Sequence, residues 1–144
     1  MKIAFFYGHG LSGVLTRIFT GSDCYHVAIV DEESGHLYDM NLLIRRRVWP
    51  DEYAGHKFKL VESPVPIKRE FLEHLLDTDN NTYGWRDYCL FALRPIYHLF
   101  GKSTRNAGGV ICSELIYNVL VAHGWPVRFS EVASPADLER ELLK

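Results

Sequence analysis

The first half of the chain carries short apolar runs and apolar–polar alternation, separated by turn-forming residues. These patterns have the two-residue period of β-strands and predict five of them. The predicted strands are residues 2–7, 26–31, 36–41, 43–49 and 57–62. Residues 32–35 form a short polar connection, which predicts a hairpin between the second and third strands.

The second half of the chain changes to the helical period. Residues 85–99 and 110–123 predict helices, and a shorter helix is predicted over 11–19. Ser134, followed by proline and by Asp137 at the third helical position, predicts the start of a last helix. A further helix is indicated by apolar residues at helical spacing, namely Ile67, Phe71, Leu72, Leu75 and Leu76. Strands followed by helices are typical of an α+β domain.

Length, charge and cysteine content narrow the function classes. A chain of 144 residues is expected to form a single domain, residues 1–144. The net charge of −2 argues against a nucleic-acid partner. The arginines at 45–47 are the only basic cluster in the sequence, and three charges are a weak signal. Three cysteines without metal-ligand spacing predict reduced thiols, no cofactor and no metal. A zinc site that includes Cys24 and His26 is the rival interpretation, but no paired-ligand spacing supports it.

The N-terminal residues predict a strand rather than a targeting segment. They contain one lysine and a short apolar run, without a small-residue cleavage site. No stretch of the sequence approaches transmembrane length. We therefore expect a protein that is cytoplasmic as synthesised. A small phage-type lytic enzyme that another factor releases to the cell wall is compatible with this pattern.

Cys112 is the strongest candidate for chemistry. It lies shortly after Gly108 and Gly109, in the first turn of the predicted helix 110–123. Unpaired backbone N–H groups and the positive end of the helix dipole favour a thiolate at such a position. A thiolate is a nucleophile, so the placement suits covalent catalysis. The alternative is a buried structural cysteine, because Leu115 and other apolar residues share its helix face.

His26, at the start of the strand 26–31, is the candidate base. Alternation defines two strand faces, one with His26, Ala28 and Val30 and the other with Tyr25, Val27 and Ile29. His123 cannot be the base for Cys112, because the two residues are roughly 16 Å apart along one helix, which is beyond hydrogen-bonding reach. The alternative for His26 is a hydrogen-bonded core histidine.

A third residue should hold the imidazole in the correct tautomer. A four-residue hairpin loop pairs Asp31 with His36 and Ala28 with Asp39, which puts Asp39 on the face of His26. Asp39 is therefore the favoured orienting residue. A five-residue loop would instead bring Tyr38 or Met40 to that face. The alternatives that stay open for the third position are His36, Tyr38 and Asn41.

Four segments, in this order, resemble the circularly permuted papain-like hydrolases of the NlpC superfamily (YaeF/YiiX type). The resemblance covers most of the chain from about residue 12 onward, and the Cys-Ser-Glu-Leu piece is its most specific part. The permuted order is histidine before cysteine. The segments are Thr20–Val30, Tyr83–Tyr88, Val110–Leu115 and Ser134–Leu138.

The resemblance implies hydrolysis or transfer at an amide or ester carbonyl through an acyl-enzyme on Cys112, with His26 as base. The Cys112 backbone N–H would donate to the oxyanion. Tyr83 is a second donor by analogy with the family, and Tyr25 and Ser113 are assigned with it to oxyanion or substrate binding. Ser113 has the alternative role of a local hydrogen bond at the helix start.

Substrate class follows from the resemblance alone. Relatives act on cell-wall peptides, so a cell-wall amidase or endopeptidase is the expected activity. A lipid acyl hydrolase or acyltransferase of the same fold is the alternative, and so is a non-catalytic module that binds a peptide or a lipid. The expected partner is thus a peptide or acyl-bearing small substrate.

Overall fold

Five antiparallel strands form one sheet, and three helices follow it in the described part of the chain. A computed structural model describes residues 1–8, 22–41, 43–50, 53–78, 112–130 and 133–144. The strands are β1 (Lys2–Tyr7), β2 (Cys24–Asp31), β3 (His36–Asn41), β4 (Leu43–Val48) and β5 (Lys57–Glu62). The helices are α1 (Arg69–Thr78), α2 (Cys112–Ala122) and α3 (Pro135–Leu142).

The strand order in the sheet is β4-β3-β2-β1-β5, so β2 with its histidine is the central strand. The predicted α+β class with an antiparallel sheet is confirmed. Three strands have the predicted bounds, whereas β2 begins at Cys24 and β4 ends at Val48. The predicted helices 11–19 and 85–99 lie outside the described residues.

The hairpin between β2 and β3 has the predicted four-residue connection. Its ladder pairs Asp31 with His36, Val30 with Leu37 and Ile29 with Tyr38. Gly35 closes the turn with a φ of 69°, a conformation that favours glycine over residues with a Cβ. This register determines which face of β3 each later residue occupies.

One face of the sheet packs against the helices through an aliphatic core. Alternate residues of β1 and β2 point to this face, and α2 and α3 supply the opposing apolar side chains. Members of this core with little or no exposure are Ile3, Phe5, Val27, Ile29, Ile116, Leu120 and Leu138. Burial of these side chains fixes α2, and with it Cys112, against β2.

The other face is covered by the connection from β4 to β5. These two strands lie at opposite edges of the sheet, so the chain between them has to cross it. Tyr53 in this connection stacks on Phe6 of β1, with 4.0 Å between the ring centroids. Trp49 also contacts Phe6, edge to face. The crossing therefore places aromatic residues over the face that carries His26.

Tyr25 departs from the predicted alternation. The ladder between β1 and β2 pairs Phe6 with His26 but Tyr7 with Cys24, so Tyr25 is an extra residue in a β-bulge. Tyr25 consequently packs against the His26 face, and Cys24 takes the helix-facing side. The prediction that Tyr25 shares a face with Val27 is wrong, because alternation alone does not reveal a bulge.

The helix termini follow from local sequence signals. Ser134 caps α3: its side chain accepts a hydrogen bond from the Asp137 backbone, and the Asp137 carboxylate accepts one from the Ser134 backbone. This capping box confirms the predicted start of the last helix. After α2, Gly124 has a φ of 95° and ends the helical stretch, as expected for glycine at this position. Among the described residues, none of the helices has the length and apolarity that crossing a bilayer requires.

Candidate active site

His26 lies at the centre of the candidate site. Its ring lies beside the stacked pair of Phe6 and Tyr53, 5.8 Å from each of their centroids, and the Tyr25 ring stacks on it at 6.1 Å. The residue is only 8% exposed. These aromatic neighbours restrict the rotation of the His26 ring, so its two nitrogens point in defined directions.

One of these two nitrogens is hydrogen-bonded to Asp39. Its Oδ2 lies 3.0 Å from His26 Nε2, and the carboxylate is fully buried. The two residues lie beyond the last ladder pair between β2 and β3, Ile29 with Tyr38, so their side chains make the contact. An ionised carboxylate can only accept hydrogen bonds, so Nε2 carries a proton and donates a hydrogen bond to Asp39 Oδ2.

Two further residues hold the Asp39 carboxylate. The Tyr53 hydroxyl donates to Oδ2 at 2.6 Å, and Arg47 Nε of β4 lies 3.3 Å from Oδ1. Burial raises the pKa of Asp39, but the hydrogen bonds from His26 and Tyr53 outweigh it and lower the pKa below its ordinary value. The carboxylate therefore stays ionised in spite of its complete burial.

Cys112 is the first residue of α2 and interacts with the His26 ring. The charge of Cys112 acts on His26 and raises its pKa, so the two side chains lie near each other, and Cys112 is 7% exposed. Because Asp39 occupies Nε2, the nitrogen available to Cys112 is Nδ1. With Nε2 protonated, Nδ1 is the basic nitrogen that can take the thiol proton.

The three side chains together stabilise a protonated imidazole. Burial lowers the pKa of His26, but the charge of Cys112 and the hydrogen bonds to Asp39 and Cys112 outweigh burial. The result is a pKa raised from the ordinary 6.5 to about 9.

Cys24 has a different environment, although it lies close to the same residues. Its side chain is fully buried, and its Sγ lies 3.7 Å from the backbone oxygen of His26. Burial raises the pKa of the Cys24 thiol, and the negative charges of Glu139 and Cys112 raise it further. Both effects favour the neutral thiol of Cys24 over its thiolate.

Of the residues predicted to bind the oxyanion or the substrate, Tyr25 lies beside His26, whereas Ser113 is buried at the start of α2. The Tyr25 hydroxyl lies 3.0 Å from His56 Nδ1, and the Tyr25 ring stacks beside His26. Ser113 is fully buried and donates to the backbone oxygen of Ala133 at 2.6 Å, which ties the start of α2 to the segment before α3. Tyr83 lies outside the described residues.

Two of the alternatives to Asp39, His36 and Tyr38, lie away from His26. His36 pairs with Asp31 at the far end of the hairpin. Tyr38 lies in the helix-side core and donates to Glu73 at 2.6 Å. Asn41 is the partner of the first residue of β4. Asp39, in contrast, contacts His26 directly.

Tyr53 and Arg47 belong to the site but were not predicted from the sequence. Arg47 could have been found, because a tight hairpin between β3 and β4 places it opposite Leu37 and on the face of Asp39. Tyr53 lies in an irregular connection, where no periodicity relates it to His26 or Asp39. Only the strand order of the sheet brings it to the site.

Comparisons of the chain with protein-family models, with curated proteins and with solved structures found no match. Among the described residues, no group of three or more His, Cys, Asp or Glu side chains is arranged to hold a metal ion.

Proposed function

We propose that the protein is a cysteine hydrolase that cleaves an amide or ester bond through an acyl-enzyme on Cys112. His26 acts as the base and Asp39 as the residue that orients it. The observation that carries the proposal is the position of His26, with one ring nitrogen on a buried carboxylate and the other available to a thiol at a helix start. This is the arrangement that an activated nucleophile needs.

The reaction would proceed in two stages. His26 Nδ1 takes the thiol proton, and Cys112 Sγ attacks the carbonyl carbon to give a tetrahedral intermediate. The Cys112 backbone N–H at the start of α2 donates to the oxyanion. When the carbon–nitrogen or carbon–oxygen bond breaks, the imidazolium gives its proton to the leaving group. Water, deprotonated by His26, then attacks the thioester and releases the acid.

The second oxyanion donor is a side chain, and Tyr25 and Tyr83 are the proposed candidates. Tyr25 has its ring beside His26, and its hydroxyl is within hydrogen-bonding distance of His56. If the His56 Nδ1 carries a proton and donates to the Tyr25 oxygen, the Tyr25 hydroxyl hydrogen can point to an oxyanion. Tyr83 is proposed from the family resemblance.

The proposal includes a permuted papain-like fold and a cell-wall peptide substrate. The fold is supported by a nucleophile helix that packs on a histidine-bearing strand, with the orienting residue on the next strand. The substrate follows from the resemblance of the sequence motifs to the NlpC superfamily. A lipid ester is the second substrate class, and a module that binds without turnover is the non-catalytic alternative.

Alkylation of each cysteine with iodoacetamide between pH 4 and pH 10 tests the catalytic pair without a substrate. Peptide mass spectrometry resolves Cys112 from Cys24. We expect Cys112 to react well below the pH near 8.5 at which a free thiol ionises. His26→Ala should lower its rate at pH 6 by on the order of a hundredfold, since the thiolate loses its imidazolium partner.

The control variant is His36→Ala, which removes a histidine from the neighbouring strand and should leave the rate unchanged. Cys24 is an internal reference and should stay unreactive in all variants. A Cys112 that reacts no faster than a free thiol, or that keeps its rate in His26→Ala, would contradict the proposal.

The substrate class requires a second experiment. Cell-wall muropeptides and short-chain acyl esters are mixed with the protein, and intact-mass spectrometry follows a covalent adduct and the released product. An adduct on Cys112 with muropeptides, absent in Cys112→Ala, supports the peptidase assignment. An adduct with esters alone supports the lipid hydrolase, and tight binding that persists in Cys112→Ala without any product supports the non-catalytic module.

A further inference from the structure

The Tyr53 hydroxyl and the His26 ring share a single oxygen of the candidate site. Asp39 Oδ2 accepts from Tyr53 at 2.6 Å and from His26 Nε2 at 3.0 Å. Because the carboxylate is fully buried, no water replaces either donor at this oxygen. Tyr53 is thus one of two protein groups that compensate the charge of Oδ2.

Tyr53 is itself held by stacking. Its ring stacks on Phe6 with 4.0 Å between the centroids and 28° between the planes, and the His26 ring lies beside this pair, 5.8 Å from each centroid. His56, later in the same connection, contacts the Tyr53 ring edge to face. A hydroxyl on a ring fixed in this way can hold Asp39 in one orientation.

We propose that Tyr53 is a positioning residue of the reaction, whose hydroxyl keeps the Asp39 carboxylate ionised and directed at His26 Nε2. This inference rests on the proposed function and deepens it, because it says what maintains the orienting charge. Without the hydroxyl, Asp39 would accept a proton at a higher pH. His26 would then lose its counter-charge, and the imidazolium–thiolate pair would collapse.

Several titratable or charged groups face this carboxylate and its donors. Arg47 of β4 contacts the other carboxylate oxygen, and Arg45 is the exposed ladder partner of Asp39. Tyr25 interacts electrostatically with Tyr53, and Cys112 interacts with the far side of His26. Of these groups, His26 and Tyr53 are the ones that donate hydrogen bonds to Oδ2.

The test is the pH profile of Cys112 alkylation in wild type and in Tyr53→Phe, which keeps the ring stack and removes the hydroxyl. The acid side of the profile should move to a pH about one unit higher, the size expected for one hydrogen bond to a charged group. A merely structural contact would lower the rate equally at every pH or leave it unchanged.

The matched control is Tyr38→Phe. Tyr38 is also a buried tyrosine that donates to a carboxylate at 2.6 Å, but its partner is Glu73 on the helix side. This variant should leave the acid side of the Cys112 profile in place. In an Asp39→Asn background, Tyr53→Phe should no longer move the profile, because there is no carboxyl group left to titrate.

A second variant tests the proposal without removing the hydroxyl. 3,5-Difluorotyrosine at position 53 is a stronger donor of nearly the same shape, so it should move the acid side of the profile to lower pH. This variant keeps the proposal testable even where Tyr53→Phe does not fold.

The outcomes separate this inference from the proposed function. If neither Tyr53 variant moves the acid side while His26→Ala still abolishes the reactivity of Cys112, the role of Tyr53 is wrong and the cysteine hydrolase stands. If the shift also occurs in Asp39→Asn, Tyr53 does not act through Asp39 and the inference is again wrong. If Cys112 has no enhanced reactivity in wild type, the proposed function fails, and the role of Tyr53 fails with it.

Discussion

Two tyrosine–carboxylate pairs on opposite faces of the sheet have nearly the same local geometry. Tyr53 donates to Asp39 on the face that the β4–β5 connection covers, and Tyr38 donates to Glu73 on the helix side, each at 2.6 Å. Each carboxylate also lies near a neighbouring arginine of β4: Arg47 for Asp39 and Arg46 for Glu73.

The pairs differ in burial and in a third partner. Asp39 is fully buried and contacts His26, whereas the Glu73 side chain is 34% exposed and joins α1 to the sheet. Water can therefore solvate the negative charge of Glu73, whereas only protein groups can stabilise the negative charge of Asp39. A cluster of tyrosine, carboxylate and arginine is therefore not by itself a candidate site. The Asp39 cluster is distinguished by its burial and by its contact with the His26 imidazole.

The largest difference in the free energy of unfolding between the two clusters is expected when their carboxylates are removed. Asp39→Ala leaves Tyr53, Arg47 and His26 without their buried partner and should lower the free energy of unfolding by about 3–5 kcal/mol. Glu73→Ala should cause a much smaller loss, because an exposed ion pair contributes little. Urea unfolding at pH 7 measures both, and equal losses would mean that burial is not what distinguishes the pairs.

The pH dependence of stability should also differ between the two faces. The pKa of His26 is raised to about 9, so its contribution is fully present below 6.5 and is lost as the pH rises through 9. The loss should be on the order of 3 kcal/mol. On the helix side, hydrogen bonds from Tyr38 and Arg46 lower the pKa of Glu73, whose contribution is therefore constant above its ordinary 4.5.

Unfolding of wild type and His26→Gln in urea at pH 6, 8 and 10 checks this expectation. The difference in free energy between the two proteins should narrow as the pH rises. A comparison of wild type with Glu73→Gln over the same range is the control and should give a constant difference. A constant difference for His26→Gln would show that His26 does not gain its charge on folding.

Removal of the Tyr53 and Tyr38 hydroxyls should give the next largest difference in the free energy of unfolding. Tyr53→Phe deletes a hydrogen bond to a buried charge and should lower the free energy of unfolding by about 1–2 kcal/mol. Tyr38→Phe should cost less, because water can replace the lost donor at Glu73. Thermal unfolding at pH 7 measures both variants, and a larger loss in Tyr38→Phe would reverse the comparison.

The smallest contrast is expected for the two arginines. Arg47→Gln removes a partly buried charge next to Asp39 and should cost about 1 kcal/mol. Arg46→Gln changes an exposed contact to Glu73 and should have a smaller effect. Urea unfolding at low and at high salt checks this, since screening should weaken the contact of Arg46 more than that of Arg47.

Much of the fold and the main part of the candidate site followed from local sequence patterns. Alternation predicted the strands, and the four-residue loop predicted the register that puts Asp39 on the face of His26. These predictions succeed because side-chain direction and hairpin register depend on residues close in the chain. The cap at Ser134 is local in the same sense.

Non-local packing decided the rest. The bulge at Tyr25 arises where β1 pairs with β2, and its sequence carries no turn signal. Tyr53 meets Asp39 only because β4 and β5 occupy opposite edges of the sheet, so that their connection has to cross the His26 face. Strand order is determined by long-range pairing and burial, which no short window of sequence contains.

The sequence by itself therefore determined the five strands to within two residues, the register of the β2–β3 hairpin, and the shared face of His26 and Asp39. The tertiary structure decided the burial of Asp39, the nitrogen of His26 that is left for Cys112, and the tyrosine that shares the carboxylate. The physical reason is that residue type and local spacing define what a side chain can do. Its charge state and direction depend on neighbours from distant parts of the chain.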